Sequence, residues 1–253
     1  MPTPVPTATA IIPARYGSTR FPGKPLADHT GKPLIRHVVE AVGGSRLIGQ
    51  VIVATDDRRI FEAVVGFGAR AVMTRSDHPN GTCRVAEAAG QLGLRDGDIV
   101  VNVQGDEPEI EHDVIDTLVD RIAADSEAPM ATLASKFAED EDPADPNIVK
   151  IVLDGRGRAL YFSRSLIPFD RDSRGHVPLK HPGLYAYRAD FLPTYVALPP
   201  TPLEQAEQLE QLRALEHGYP IAVAVTTVRH HGIDTLGQYE AFVARHQAAC
   251  GRA

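Results

Sequence analysis

The first half of the chain alternates short β-branched apolar runs with segments whose apolar residues recur at helical spacing. The runs begin at Ala10, Val51, Ala69 and Ile99, and a polar or glycine-containing turn follows each of them. Strands that alternate with amphipathic helices predict right-handed βαβ units on a parallel sheet flanked by helices. Ligands of such sheets bind at the carboxyl ends of the strands. The sequence therefore predicts an α/β fold whose site lies in these turns.

From Met130 onward the pattern changes to short strands separated by acidic and glycine-containing turns. The predicted strands are 131–137, 149–153 and 159–162. Between the last two, Asp154-Gly155-Arg156-Gly157 is a hairpin signal. We therefore expect a smaller antiparallel insertion, which could cover the site or form a dimer surface.

One continuous helix is predicted between Thr201 and Gly218. Thr201-Pro202-Leu203-Glu204 is a capping box with proline at the first helical position. Gly218 supplies a C-terminal stop, and leucines between these two signals recur at helical spacing.

A cationic loop follows the first strand. It carries Arg15, Arg20 and Lys24 together with Gly17 and Gly23. Backbone N–H groups in such a turn bind anions, and three cations can neutralise a triphosphate. The whole chain carries a formal charge of −7, which argues against a nucleic-acid or membrane surface, so this local cluster points to a specific anionic ligand. Neither the P-loop pattern nor the dinucleotide fingerprint occurs in this loop.

Two aspartates occupy positions that suit a hard cation. Asp106 follows the strand that begins at Ile99, and Asp234 follows another β-branched strand and Gly232. Mg²⁺ takes one or two carboxylates and completes its coordination with phosphate oxygens and water. Each aspartate also has a plainer interpretation as a turn residue or helix cap, and that interpretation is stronger for Asp234 because a helix follows it.

Several other site classes are disfavoured. The ten histidines lack zinc-site spacing, although His230 and His231 could lie behind Asp234. Cys83 and Cys250 are too few for a disulfide framework, and no nucleophile elbow is present. No apolar stretch approaches the roughly 18 residues of a membrane span. The Pro/Thr-rich start is expected to be a frayed tail, and it lacks the features of a secretion signal. We therefore expect a cytoplasmic protein.

Nine motifs spread over nearly the whole chain resemble those of one family. The longest, PARYGSTRFPGKPL, occupies residues 13–26. The others are VATD at 53–56, TR at 74–75, GT at 81–82, NVQGDEP at 102–108, YFSR at 161–164, GLYAYR at 183–188, LEQLR at 209–213 and GIDT at 232–235. Together they resemble the sugar-acid cytidylyltransferases, and most closely the 3-deoxy-manno-octulosonate (Kdo) cytidylyltransferase family.

The resemblance implies a transferase that couples CTP to the anomeric 2-hydroxyl of Kdo. Pyrophosphate leaves, and the product, CMP-Kdo, serves lipopolysaccharide synthesis. It further implies Mg²⁺ held by Asp106 and Asp234, and a homodimer. The implied domains are a Rossmann-like nucleotidyltransferase domain at 8–130 and 202–253, and an inserted sugar-binding and dimerisation subdomain at 131–201.

The resemblance also assigns site residues. Arg15 and Lys24 act with Asp106 and Asp234 in catalysis. The residues implied to bind CTP are Arg15, Arg20, Lys24, Arg75, Gly81 and Thr82. Those implied to bind the sugar acid are Gln104, Arg164, His181, Tyr185, Glu210 and Gln211. Arg164 is placed to pair with the sugar carboxylate.

Some of these residues have plainer interpretations. Tyr185 could belong to the core, His181 to the surface of an edge strand, and Glu210 and Gln211 to the solvated face of a helix. Cys83 departs from the family pattern, which usually has an acidic residue there, so the detail of the contact at Gly81-Thr82 stays open.

Three alternative functions are open. The first is a cytidylyltransferase for another acid sugar, such as a sialic acid or 8-amino-Kdo. The second is a non-catalytic nucleotide-binding protein with the same fold. A nicotinamide dehydrogenase is the weakest, because its glycine fingerprint is absent.

Overall fold

The computed structural model describes residues 7–17, 20–227 and 232–250, the last of them without its side chain. The described residues form two compact units. The first unit contains those of 8–94, 102–113 and 232–250, and the second contains Thr7, 95–101 and 114–227. The terminal tail at 1–6 and the pair His230-His231 lie outside the described residues.

Three parallel strands form the sheet of the first unit, in the order β3-β2-β1. They are β1 (Ala8–Ala14), β2 (Ile48–Thr55) and β3 (Arg70–Met73). Ile11 on β1 pairs with Ile52 on β2, and both side chains are fully buried. The parallel arrangement predicted for the first half of the chain is confirmed.

Helices connect these strands, as the βαβ prediction requires. Asp57 caps α2 by accepting a hydrogen bond from the Arg59 N–H at 2.9 Å, and Asn80 caps α3 by accepting one from the Cys83 N–H at 2.9 Å. The helical elements of this unit are a 3₁₀ turn at Lys24–Leu26, α1 (Leu34–Gly43), α2 (Arg58–Gly66), α3 (Gly81–Gln91) and α8 (Leu236–Cys250).

The second unit is a mixed sheet with antiparallel pairing at its centre. Its strands follow the order β4-β9-β5-β8-β6-β7, and β10 pairs in parallel with β5. The strand bounds are β4 (Ile99–Asn102), β5 (Met130–Lys136), β6 (Lys150–Leu153), β7 (Ala159–Ser163), β8 (Leu179–Lys180), β9 (Tyr185–Arg188) and β10 (Ile221–Val225). The helix bounds are α4 (His112–Ala124), α5 (Phe191–Ala197), α6 (Pro202–Glu207) and α7 (Gln211–Glu216). Within the described residues, no helix is both long and apolar enough to cross a membrane.

The prediction of one helix between Thr201 and Gly218 is wrong, because α6 and α7 are separate. Glu204 accepts a hydrogen bond from the Thr201 N–H at 3.3 Å, as the predicted capping box requires. The break comes at Gln208, whose φ of 54° places it in the left-handed region. This break places Glu210 and Gln211 at the start of a new helix rather than midway along one.

The boundaries of the two compact units differ from the predicted domain boundaries. Residues 114–130 and 202–227 lie in the same unit as the predicted insertion, 131–201. Two contacts account for this division. Strand β10 pairs with β5, and Glu207 on α6 accepts a hydrogen bond from the Ser163 hydroxyl on β7 at 2.6 Å.

Candidate active site

An open cavity of about 390 Å³ lies in the first unit, where β1 ends and where the chain continues beyond β4. Seven of the predicted site residues line it: Arg15, Arg20, Lys24, Gly81, Gln104, Asp106 and Asp234. Pro13, Ala14, Pro25, His78, Pro79, Asn80, Arg84 and Gly105 complete the lining. The cavity therefore combines the cationic loop with both candidate metal ligands at the strand ends where a ligand was expected.

Lys24 lies between the two aspartates. Its Nζ donates a hydrogen bond to Asp106 Oδ2 at 2.7 Å and lies 3.7 Å from Asp234 Oδ1, so these two oxygens are no farther apart than the sum, about 6.4 Å. Nζ also donates to the Ile233 carbonyl. Only 10% of the Lys24 side chain is exposed, which strengthens its attraction to both carboxylates.

Backbone contacts hold the three segments in place. The Gly23 N–H donates to the Tyr16 carbonyl at 3.0 Å, and Gly23 has a φ of 72°, so the loop turns directly before Lys24. The Ile233 N–H donates to the Asp106 carbonyl at 2.9 Å, which joins the two carboxylate segments. The site is therefore organised by main-chain bonds as well as by the Lys24 side chain.

Asp234 does not act as the cap of α8. Gln238 N–H donates to Thr235 Oγ1 at 3.3 Å, so Thr235 provides that contact. The Asp234 carboxylate instead lies 3.0 Å from Arg20 Nη2. It is 44% exposed, which leaves it accessible to a ligand in the cavity.

The donor set suits magnesium better than a closed structural metal. Within the part of the chain that the structure describes, no three His, Cys, Asp or Glu side chains are grouped to hold an ion. Two carboxylates beside a cationic cavity match an ion that completes its coordination with phosphate oxygens and water. Asp106 and Asp234 thus fit Mg²⁺ brought together with a phosphate ligand.

Arg84 is a cavity residue that the sequence reasoning missed. It is 5% exposed, its Nη1 donates to Thr74 Oγ1 at 2.5 Å, and the same nitrogen lies 3.3 Å from Asp56 Oδ1. These contacts tie α3 to the ends of β2 and β3. Its position three residues after Gly81, one helical turn away, is the sequence signal that could have identified it.

Two predicted nucleotide-binding residues do not line the cavity. Arg75 is exposed, and its guanidinium pairs with Asp77 through contacts of 2.9 and 2.5 Å. Thr82 is 1% exposed at the start of α3. His78 and Asn80, which the prediction left out, line the cavity from the intervening loop.

His181 and Tyr185, both assigned to the sugar, pack together in the second unit. Their ring centroids are 5.3 Å apart. The Thr132 hydroxyl donates to the Leu184 carbonyl at 2.6 Å, so its oxygen accepts from His181 Nε2 at 2.9 Å. Burial lowers the pKa of His181 to about 3, so the imidazole is neutral at physiological pH. Burial raises the pKa of Tyr185 well above its ordinary value, and nearby Tyr187 and Glu210 add to that effect.

The other predicted sugar residues of this unit differ in their surroundings. Gln211 is 2% exposed, and its Nε2 has no hydrogen-bond partner within the described residues, so a donor is available there. Glu210 accepts a hydrogen bond from the Tyr195 hydroxyl through its backbone carbonyl at 2.8 Å. Arg164 donates from Nε to the Glu207 carbonyl at 2.8 Å and from Nη1 to the Pro146 carbonyl at 3.0 Å.

Comparison with known proteins yields one consistent group. A family model described as cytidylyltransferase matches residues 9–223. The 3-deoxy-manno-octulosonate cytidylyltransferase of Syntrophobacter fumaroxidans is 55% identical over 235 residues, covering 92% of this chain and 94% of that protein. The enzyme of the same name from Thermodesulfovibrio yellowstonii is 49% identical over 236 residues, covering 89% of this chain and 92% of that protein.

A solved structure agrees with these sequence matches. It is that of a CMP:2-keto-3-deoxy-manno-octonic acid synthetase complexed with CTP. It matches with a TM-score of 0.89 and 43% identity, and the match covers 96% of this chain and 99% of that one. The α/β fold and the nucleotidyltransferase class predicted from the sequence are thereby confirmed. The chain belongs to the cytidylyltransferase family, among the 3-deoxy-manno-octulosonate cytidylyltransferases.

Proposed function

We propose that this protein transfers CMP from CTP to the anomeric 2-hydroxyl of Kdo, releasing pyrophosphate and giving CMP-Kdo for lipopolysaccharide synthesis. The observation that carries the proposal is the placement of Lys24 against both Asp106 and Asp234 in a cavity that also contains Arg15 and Arg20. The names of the related proteins and the CTP-complexed structure support the choice of nucleotide and sugar.

Phosphoryl transfer needs positioning and charge stabilisation more than covalent chemistry from the protein. Arg15, Arg20 and Lys24 supply positive charge for the triphosphate and for the departing pyrophosphate. Mg²⁺, when bound by Asp106 and Asp234, would withdraw charge from the phosphate oxygens. Lys24 Nζ donates one proton to Asp106 and one to the Ile233 carbonyl, so its third ammonium proton is available to a phosphate oxygen.

Apart from Gln104, which lines the cavity, the residues assigned to the sugar acid belong to the second unit. Gln211 Nε2 and the Tyr185 hydroxyl supply hydrogen bonds for a polyol, and neutral His181 binds as a dipole rather than as a charge. Arg164 is assigned to the carboxylate. Its guanidinium is already oriented by two backbone carbonyls, which lowers the entropy lost on binding.

A homodimer formed through the second unit is part of the proposal. Four exposed apolar side chains of this unit lie between residues 160 and 177, and Phe169 is 87% exposed. The others are Leu160, Leu166 and Val177. Large exposed apolar patches mark association surfaces, and we assign these four side chains to such a patch. Phe169→Glu should convert a dimer to a monomer in sedimentation experiments, whereas a monomeric wild-type protein would refute this part. A cytoplasmic location stays a prediction.

The test of the reaction is a pyrophosphate-release screen of four nucleoside triphosphates against several 2-keto sugar acids. We expect turnover with CTP and Kdo. Faster turnover with a sialic acid or 8-amino-Kdo would favour another acid sugar as substrate. CTP binding by calorimetry without pyrophosphate release for any acid would favour a non-catalytic nucleotide-binding protein.

A further inference from the structure

Glu87 on α3 connects that helix to the loop between β3 and α3. Its carboxylate accepts hydrogen bonds from the backbone N–H of Arg75 at 3.1 Å and from Gln91 Nε2 at 2.9 Å. It also contacts His78 Nε2 directly. Three groups, two of them on the loop, therefore converge on one carboxylate, and the loop that they fix carries the cavity residues His78, Pro79 and Asn80.

The contact with Glu87 determines which ring nitrogen of His78 can accept a hydrogen bond. Burial acts to raise the pKa of Glu87, but the bonds from His78, Arg75 and Gln91 outweigh it and hold the pKa below its ordinary value. Glu87 is therefore an ionised carboxylate, which can only accept. His78 Nε2 must carry the proton, so Nδ1 of the neutral ring is an acceptor. His78 is one of the residues that line the cavity, and its ring thus carries one defined acceptor.

The chemistry of the cavity differs between its two sides. Arg15, Arg20 and Lys24 come from the loop after β1, and this cationic side suits phosphates. The loop before α3 contributes His78, Pro79 and Asn80, none of them a fixed cation. Arg84 on α3 also lines the cavity, but its guanidinium is engaged by Thr74 and Asp56. Asn80 Oδ1 is already engaged as the cap of α3. A neutral, hydrogen-bonding part of the nucleotide fits this side, and the base is that part.

We propose that Glu87 and His78 determine the choice of base, with Glu87 as a positioning residue. Glu87 holds His78 in the tautomer that presents Nδ1 as an acceptor, and this acceptor binds the exocyclic amino group of cytosine. Cytosine carries an amino donor where the corresponding pyrimidine position of uracil carries a carbonyl acceptor. Uracil therefore places an acceptor against an acceptor. The inference rests on the proposed function in that CTP is the nucleotide bound.

The test is the equilibrium affinity for CTP and UTP in the presence of Mg²⁺ at pH 8, measured by calorimetry. Wild-type protein should prefer CTP, and His78→Ala should reduce the CTP/UTP affinity ratio about tenfold, the value of one hydrogen bond. Glu87→Ala should reduce the ratio similarly, whereas Glu87→Gln, whose carbonyl still accepts from Nε2, should restore most of it. Gln91→Ala is the matched control. It removes another partner of Glu87, and the ratio should stay unchanged.

Because each ratio compares two ligands on one preparation, partial unfolding of a variant cancels. An unchanged ratio in His78→Ala would overturn the inference, and so would a ratio that rises. Failure of the proposed reaction would give a different result. Wild-type protein would then bind CTP more tightly than UTP but would release no pyrophosphate.

Discussion

The ammonium of Lys24 donates a hydrogen bond to Asp106 at 2.7 Å, so the cation assigned to the phosphates is also the neutralising partner of a candidate metal ligand. Replacement of Lys24 by Met should lower kcat about 10²–10³-fold, because one preorganised donor to the transferring phosphate is lost. Pyrophosphate release at saturating Mg²⁺, CTP and Kdo measures the effect.

Lys32→Met is the matched control for this change. Lys32 forms an exposed ion pair with Glu40 at 2.8 Å, and such pairs contribute little to stability. Its turnover should stay within about twofold of wild type. Full activity in a folded Lys24→Met protein, with folding checked by circular dichroism, would remove Lys24 from the mechanism.

Asp234→Asn should increase the Mg²⁺ concentration needed for half-maximal activity by at least about tenfold. Replacing residues that only hydrogen-bond to metal ligands already lowers metal affinity by about 10–100-fold, and Asp234 is assigned as a ligand itself. Chelation with EDTA should abolish turnover in the wild type, and added Mg²⁺ should restore it. Glu62→Gln, at an exposed helix pair with Arg58, should leave the Mg²⁺ requirement unchanged. An unaltered Mg²⁺ requirement in Asp234→Asn would show that Asp234 is not a ligand.

Asp125 should contribute to stability in a pH-dependent way. Arg158 donates to both of its carboxylate oxygens, at 2.7 and 3.0 Å, and these bonds lower the pKa of Asp125 from 3.8 to about 2. Folding lowers the pKa of this carboxyl. The carboxyl therefore stabilises the fold at pH values above its pKa in the unfolded chain, and this contribution is lost as pH falls through its pKa in the folded protein. Asp125→Asn should therefore cost about 2 kcal/mol in urea unfolding at pH 7.

The difference between wild type and Asp125→Asn should shrink between pH 4 and pH 2. Asp172→Asn, which affects an exposed pair with Arg174, should stay within about 0.5 kcal/mol of wild type at pH 7. A cost for Asp125→Asn that is independent of pH would mean that packing, not charge, is lost.

His181 should favour the fold only while it is neutral. Burial lowers its pKa to about 3, so the unfolded chain takes up a proton near pH 6.5 that the folded chain does not. Stability relative to His181→Asn should therefore fall by about 1 kcal/mol per pH unit as pH drops from 6.5 toward 5. The imidazole signal that disappears in His181→Asn should not titrate between pH 5 and 8, and a midpoint within that range would contradict the neutral assignment.

The features that were predicted correctly from the sequence are those that depend on local residue patterns and on the positions of the strand ends. Alternating strands and helices predict a parallel sheet, and carboxyl ends that meet at one edge predict that Lys24 and Asp106 lie close together. The left-handed Gln208 was not predictable, because a single positive φ in a non-glycine residue leaves no local sequence signal.

Contacts between distant segments explain the remaining differences. The parallel pairing of β10 with β5 joins segments about 90 residues apart, so the local pattern near Met130 does not reveal it. Arg84 and Glu87 were missed for another reason. Both lie on a helix whose sequence has an ordinary amphipathic pattern. Their roles depend on contacts with the loop before that helix, and the pattern does not show these contacts.

Gly105 should be required for the geometry of Asp106. A Cβ at this position would lie 3.0 Å from the Pro13 carbonyl oxygen and 3.6 Å from Ile12 Cγ2. The carbonyl belongs to the β1 backbone, which cannot move without disturbing its pairing with β2. Gly105→Ala should therefore cost about 1–3 kcal/mol in urea unfolding and lower kcat, because Asp106 shifts with its neighbour. Gly237→Ala, where a Cβ meets nothing within 4 Å, should leave kcat unchanged and should not lower stability, since a helix favours alanine over glycine. Unchanged stability and turnover in Gly105→Ala would show that the loop has room to adjust and that Gly105 does not set the position of Asp106.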